Sequence, residues 1–308
     1  MSKSKNSLFK VYIQAILANV FWGFSFVWTD IALKSHIPPI TLVTLRMIIA
    51  TILLGSWAKF SGNLQKIKFA DLKYFLGLAF CEPFLYFLCE TYGQTMVSPT
   101  VTSVIVATIP LFTSIIALSF LHERLSISNL AGIILSLMGV LAVVFAGNNN
   151  ISGQITGAIL VFGAVLAALG YAVFVKYIVS RYNATTLVFY QNLIGLVYFI
   201  PCFFLVDFQH INSMHFTFDA ILAIGELSLF ASVAAFIMYS HSVKVLGVSK
   251  AGVFCYLIPV LTALFAFFVV DEQLTIFQWF GMAIVILGLL VSQIAGKKIN
   301  FYNNRKSK

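Results

Sequence analysis

Charge is what this sequence has least of. Asp, Glu, Lys and Arg together make up 9% of its 308 residues, against about 25% in an ordinary soluble domain. So few charges cannot cover a water-facing surface, which excludes a conventional soluble protein. Cysteine pairing is also missing. Cys81, Cys89, Cys202 and Cys255 all lie inside apolar runs with no paired spacing in any loop, so they are expected to be free thiols packed as small apolar groups. The chain has no phosphate-binding GxxxxGK[ST] loop, no HExxH, no GxSxG and no His/Cys cluster at ligand spacing. Direct nucleotide drive, metal binding and hydrolase chemistry are therefore not expected, nor is any cofactor. The formal charge of +9 sits in the tails and short loops. That is a membrane-topology pattern and not a soluble basic face, so nucleic acid is not an expected partner.

What the chain does have is apolar length. A helix needs about 20 apolar residues to cross the hydrocarbon core. Runs of that kind lie near 11–33, 40–60, 72–92, 98–120, 127–146, 155–177, 186–206, 218–240, 248–270 and 276–295. The predicted fold is an all-α polytopic membrane protein of ten transmembrane helices, with lipid as its principal surroundings. The first run follows Lys3, Lys5 and Lys10, but it is too long for a signal-peptide core and reads as a retained anchor. With the N-terminus placed in the cytoplasm, the lysines and arginines fall on the inner side, save Lys34 outside and Arg46 within a span. Both termini are thus expected to be cytoplasmic in a bacterial inner membrane.

Sliding the chain on itself by 149 residues aligns 96–147 with 245–296 without a gap. Pro110 meets Pro259, Glu123 meets Glu272, Gly132 meets Gly281 and Gly139 meets Gly288. At a slightly smaller offset, Thr41-Leu42-Val43 matches Thr186-Leu187-Val188. The expected organisation is a five-span repeat over 1–147, a second over 148–296 and a basic cytoplasmic tail over 297–308. Five is odd, so the second repeat enters from the opposite side and the repeats are inverted, a recurring transporter design.

Ionisable groups inside spans are costly and normally face the bundle interior or a water-filled cavity. Arg46, Glu82, Glu90 and Glu226 are the chief ones, while Asp30 and Lys176 lie near span ends. Glu82, Tyr86 and Glu90 are four residues apart and predict one polar stripe on the third helix. Two readings stand for this stripe: a carboxylate that binds an ammonium group or carries a coupling proton, or a carboxylate that pairs with Arg46 and locks helices together. Glu226 is the equivalent candidate in the second half. Asn19 and Trp22 in the first span, Gln191 and Asn192 in the seventh, and Tyr256 in the ninth are further candidates for substrate contact. Pro83, Pro110 and Pro259 each remove a helical hydrogen bond at membrane depth and are hinge candidates or packing kinks. Glu123 and Glu272, at span ends, are expected to cap the next helix. The glycine pairs are read as close helix packing.

These features resemble the EamA-type family of the drug/metabolite transporter superfamily. The likeness is carried by Trp22-Gly23, Pro110, His122-Glu123-Arg124-Leu125, Gly132 and Gly139 in the first half, and by Pro259, Asp271-Glu272-Gln273-Leu274, Gly281 and Gly288 in the second. The stretch from Glu82-Pro83 through Glu90 to Ser98-Pro99-Thr100 resembles one branch of it. The resemblance implies ten helices in inverted halves and export or exchange of small metabolites, amino acids among them, without naming one. One departure separates the halves: Glu82 and Glu90 have no carboxylate counterpart around 230–239. The function expected is a secondary transporter of a small amino-acid-like, polar or aromatic solute, working by alternating access with a proton or counter-substrate. A non-transporting scaffold or channel, or an intramembrane enzyme, are the alternatives.

Overall fold

The computed structural model describes residues 2–113, 127–146, 151–214, 216–247 and 251–306, and every regular element among them is helical. Seven apolar helical segments are long enough to cross a membrane: Leu8–Lys34, Pro39–Phe60, Phe69–Gln94, Ser152–Ile178, Ala184–Asp207, Phe218–Leu246 and Val253–Val270. Three shorter ones, Pro99–Thr113, Leu130–Phe145 and Ile276–Ser292, complete ten. Helix is the expected outcome in lipid, because it satisfies every backbone N–H and C=O within one segment. Large apolar side chains such as Leu205, Phe268 and Ile159 are exposed all round the bundle. A water-soluble protein rarely shows patches of that extent.

Four spans are interrupted, in matched pairs. The third span widens over Phe80–Leu85, with Glu82 in an extended conformation (φ −143°, ψ 117°). Its partner, the eighth, widens over Leu227–Ala235. The fourth span pauses in a turn at Ala107 and Thr108 and resumes one residue before Pro110. The ninth tightens over Val253–Leu257 and restarts as Ile258–Val270, with Pro259 in its first turn. In both cases the proline stands where its missing N–H is one of the unpaired first-turn donors anyway.

The halves interlock antiparallel. The second and seventh spans pair end to start: Thr41, opening the second, donates N–H and Oγ1 to Asp207 at the close of the seventh, both at 2.8 Å. Thr186, opening the seventh, accepts from the Gln65 N–H just past the end of the second. The fifth and tenth spans form a glycine seam in which Gly132 abuts the Gly288 backbone and Gly139 abuts Gly281. A Cβ built at Gly132 would lie 2.5 Å from the Gly288 carbonyl oxygen, and one at Gly139 2.6 Å from that of Gly281. Only hydrogen fits there, so backbones meet directly. The first span packs on the eighth and ninth, and the sixth on the third and fourth. Ten spans in two inverted five-helix units is therefore the architecture.

Candidate functional site

Where the interrupted spans meet, the bundle interior becomes polar. In the third span, Pro83 lodges against Gly195 of the seventh, at a point with no room for a Cβ. The extended backbone at Glu82 interrupts the helix there, so Glu82 is not stacked one turn below Tyr86 as a continuous helix requires. The expected stripe is thus corrected: the regular part is Tyr86–Gln94. Along it the Tyr86 hydroxyl donates to Glu90 Oε1 at 3.2 Å, and Glu90 is buried. Gln94 is the next residue at this spacing, and it too is buried. It was missed in the sequence because it falls at a span end.

Arg46 enters from the second span, 5% exposed. Its Nε donates to Ser232 Oγ at 2.6 Å, and its guanidinium lies 4.1 Å from the centroid of the Phe87 ring. Glu90, Tyr86 and Glu82 are the groups whose charge it feels. Among the described residues the ion pairs are Lys34–Asp30 and Arg181–Asp71, so Arg46 is near the two glutamates without closing on either. The helix-locking contact is made to Ser232 instead.

Glu82 lies deep in the bundle yet keeps accessible surface, as do Tyr171, Tyr239 and Cys255. Tyr171 and Tyr239 both feel the charge of Glu82, and Tyr239 lies against Cys255. The Cys255 thiol lies 3.6 Å from the Tyr239 hydroxyl, and Trp22 meets the Tyr239 ring at a tilt and the Phe236 ring edge-on, with ring centroids 4.8 and 5.4 Å apart. The site thus joins a carboxylate, two phenols, an indole and a thiol from the first, third, sixth, eighth and ninth spans, with Arg46 and Glu90 behind. Such a set of groups can contact a solute bearing a cationic group and an apolar or aromatic body. Sequence reasoning missed Tyr171, Tyr239, Cys255 and Ser232; among 31 Phe and 12 Tyr a lone tyrosine carries no signal.

The remaining candidates divide. Asn19 is fully buried and turns its Nδ2 back to the Ala15 carbonyl. Gln191 is buried with Oε1 lacking a donor, one turn before Gly195 and so on the face that meets Pro83. Asn192 closes on the Val188 carbonyl of its own helix. Tyr256 is buried in the ninth span's tight segment. Glu226 is partly exposed and is not among the charges around Arg46.

Glu272 corrects another expectation. It does not cap the helix that follows it: Thr275 and Gln278 do so reciprocally, through Gln278 N–H to Thr275 Oγ1 and Thr275 N–H to Gln278 Oε1. Asp271, in a left-handed conformation (φ 55°), ends the ninth span and turns the chain back. Glu272 Oε2 then accepts from Thr100 Oγ1 at 2.8 Å, at the start of the fourth span. Burial pushes this carboxyl above its usual range, and the hydroxyls of Ser98 and Thr100 oppose that. Glu123 lies outside the described residues.

With this geometry in view, comparison with known proteins is direct. The model of the EamA-like transporter family matches residues 9–145 and again 155–293. An uncharacterized transporter of Archaeoglobus fulgidus is 28% identical over 282 residues, covering 92% of this chain and 98% of its own. The uncharacterized transporter YcxC of Bacillus subtilis is 26% identical over 294 residues, covering 92% of each. A crystal structure of a protein 15% identical shares the fold, with a TM-score of 0.69 over 93% of this chain and 99% of that one. The chain belongs to the EamA-like transporter family, within the drug/metabolite transporter superfamily, and is a multi-pass membrane transporter.

Proposed function

We propose that the protein is a secondary carrier that exports or exchanges a small amino-acid-like, polar or aromatic solute across a bacterial inner membrane by alternating access. The units that rock are 1–147 and 148–296, with both termini and the basic tail 297–308 in the cytoplasm. The observation that carries this reading is Glu82: a carboxylate on an interrupted helix, deep in the bundle yet accessible, at the meeting of both halves. An uncompensated carboxylate at that depth is costly, and a bound ammonium or a proton compensates it. Arg46, anchored by Ser232 and Phe87, sets the opposite sign nearby. Trp22, Tyr171 and Tyr239 supply the walls. The paired interruptions around Pro83, Pro110 and Pro259 give the spans that bend, and no catalytic step is assigned to the protein.

The test is counter-flow in proteoliposomes, with a substrate first found by comparing metabolites in the medium of cells with and without the protein. Glu82→Gln keeps the shape and removes the charge. Loss of a charged hydrogen bond is worth about 1.5–3 kcal/mol, or roughly 10- to 100-fold in affinity. Flux should fall by that order while the protein still inserts. Wild-type flux with an unchanged pH profile removes Glu82 from the mechanism.

A further inference from the structure

The guanidinium of Arg46 has an open end. Its Nε donates to Ser232 Oγ at 2.6 Å, the one hydrogen bond that this side chain makes among the described residues. Nη1 and Nη2 have no acceptor there, and unlike the unpartnered oxygens of Asn19, Gln94 and Gln191 they keep accessible surface. The 5% of Arg46 that stays exposed thus includes the unpaired end of a charge. The group is also held from both halves. Ser232 belongs to the eighth span, and Phe87, whose ring centroid lies 4.1 Å from the guanidinium carbon, belongs to the third. With Nε and one face occupied, the plane of the fork is fixed and its Nη edge is left free. Such a planar fork matches a carboxylate, which accepts two parallel N–H bonds.

The protein's own carboxylates do not fill that edge. Arg46 feels the charge of Glu90 most and of Glu82 less, but neither is in ion-pair contact with it. Glu90 Oε1 accepts from the Tyr86 hydroxyl instead, and Glu82 keeps accessible surface and accepts no hydrogen bond among the described residues. Opposite charges therefore stand near one another, unclosed, where the two halves meet. A free anion at the Arg46 fork is repelled by both glutamates, and a dianion such as phosphate is repelled twice over. An amine at Glu82 leaves Arg46 unanswered, at a depth where an unpaired charge is costly. A molecule that carries both a carboxylate and an ammonium answers both.

We propose that Arg46 is a carboxylate-binding subsite: the carboxylate of a zwitterionic amino acid takes the Nη edge, while its ammonium takes Glu82 and its side chain turns toward Trp22 and Tyr239. Tyr239 feels the charge of Glu82 and meets the Trp22 ring, so the apolar wall adjoins the carboxylate that holds the ammonium. The proposal rests on the carrier reading above and narrows its solute to one bearing both charges.

The experiment is calorimetric titration of the full-length protein in lipid nanodiscs with three probes of one apolar body. These are L-phenylalanine, 2-phenylethylamine, which lacks the carboxylate, and 3-phenylpropanoate, which lacks the ammonium; the same series on the leucine side chain covers a poor fit of the ring. The amino acid should bind saturably and roughly 10- to 100-fold more tightly than its amine or its acid, the worth of one charged contact. Arg46→Met should weaken the amino acid to the level of the amine and leave the amine no weaker. Arg46→Lys keeps the charge without the fork and should fall between. A purely structural role for Arg46 would weaken amino acid and amine alike. Comparing the three probes on the unaltered protein decides the matter should Arg46→Met fold poorly. Three results overturn the proposal: no saturable binding of either amino acid, an amine that binds as tightly as its amino acid, or equal loss of both in Arg46→Met. Amine binding that needs Glu82 but is indifferent to Arg46 sinks this inference and leaves the Glu82 reading standing. Amino-acid and acid binding that needs Arg46 but not Glu82 does the reverse.

Discussion

The third and eighth spans occupy equivalent places in the two halves, and both widen at mid-length. The third carries Glu82, Pro83, Tyr86 and Glu90 around its interruption, whereas the eighth carries Ser228, Ala231, Ser232 and Ala235. Backbone irregularity is therefore common to both halves, whereas the interior carboxylates Glu82 and Glu90 belong to the first; the eighth span's Glu226 is partly exposed and stands apart from Arg46. The same holds for the second and seventh spans. Arg46 and Gln191 stand 145 residues apart, the offset that relates Thr41 to Thr186, and one is a guanidinium with an acceptor while the other is an amide missing a donor. Duplication preserves what the bilayer requires of the backbone, and a solute needs its charged partners only once.

If that division is right, shared features should be equally sensitive in both halves and the chemistry should not. The largest effect is expected at the glycine seam. Gly132→Val and Gly281→Val each push a side chain into a facing backbone, for a cost of about 1–3 kcal/mol and occasionally more. Thermal unfolding in detergent should show similar losses for the two; a seam sensitive on one side only would break the comparison. Flux should behave oppositely. Glu82→Gln lowers it roughly 10- to 100-fold, while Ala231→Ser at the corresponding point of the eighth span leaves it within about twofold.

A third pair sharpens the contrast between Arg46 and Gln191. Ser232→Ala takes the acceptor from a buried guanidinium and should destabilise by about 1–3 kcal/mol. Gln191→Leu removes a polar group already short of a partner, so its effect on the unfolding midpoint should be neutral or slightly favourable, with reduced flux if the amide touches solute. Equal destabilisation by the two would refute the distinction. The smallest effect is expected at the far end, where Arg181 pairs with Asp71 between the halves and is itself half-exposed. Arg181→Met should cost no more than about 1 kcal/mol, read by the same unfolding assay.

Much of the fold is legible in the sequence because lipid imposes a simple demand, about 20 apolar residues per crossing, and because Pro110, Pro259 and the four seam glycines keep their register. The interior is legible only in part. Arg46, Glu82, Tyr86 and Glu90 stand out against an apolar background, and the structure brings them together. The extended backbone at Glu82 was not readable, since it depends on Gly195, 113 residues later, making room for Pro83. Its position suggests that Glu272 caps the next helix, but Thr100, the residue it meets at the start of the fourth span, lies 172 residues earlier. Its own neighbour is capped by Thr275 and Gln278, a T-x-x-Q signal present in the sequence. Tyr171 and Tyr239 gain their meaning only from the packing that faces them toward Glu82.

The seam between the fifth and tenth spans also bears on how such a molecule moves. Backbone lies against backbone at two levels seven residues apart, so sliding one helix past the other would drive carbonyls into α-carbons. The seam joins one repeat to the other, so under the rocking motion proposed above it is the fixed line about which the two repeats would turn. The bending that such a turn requires would fall on the four interrupted spans.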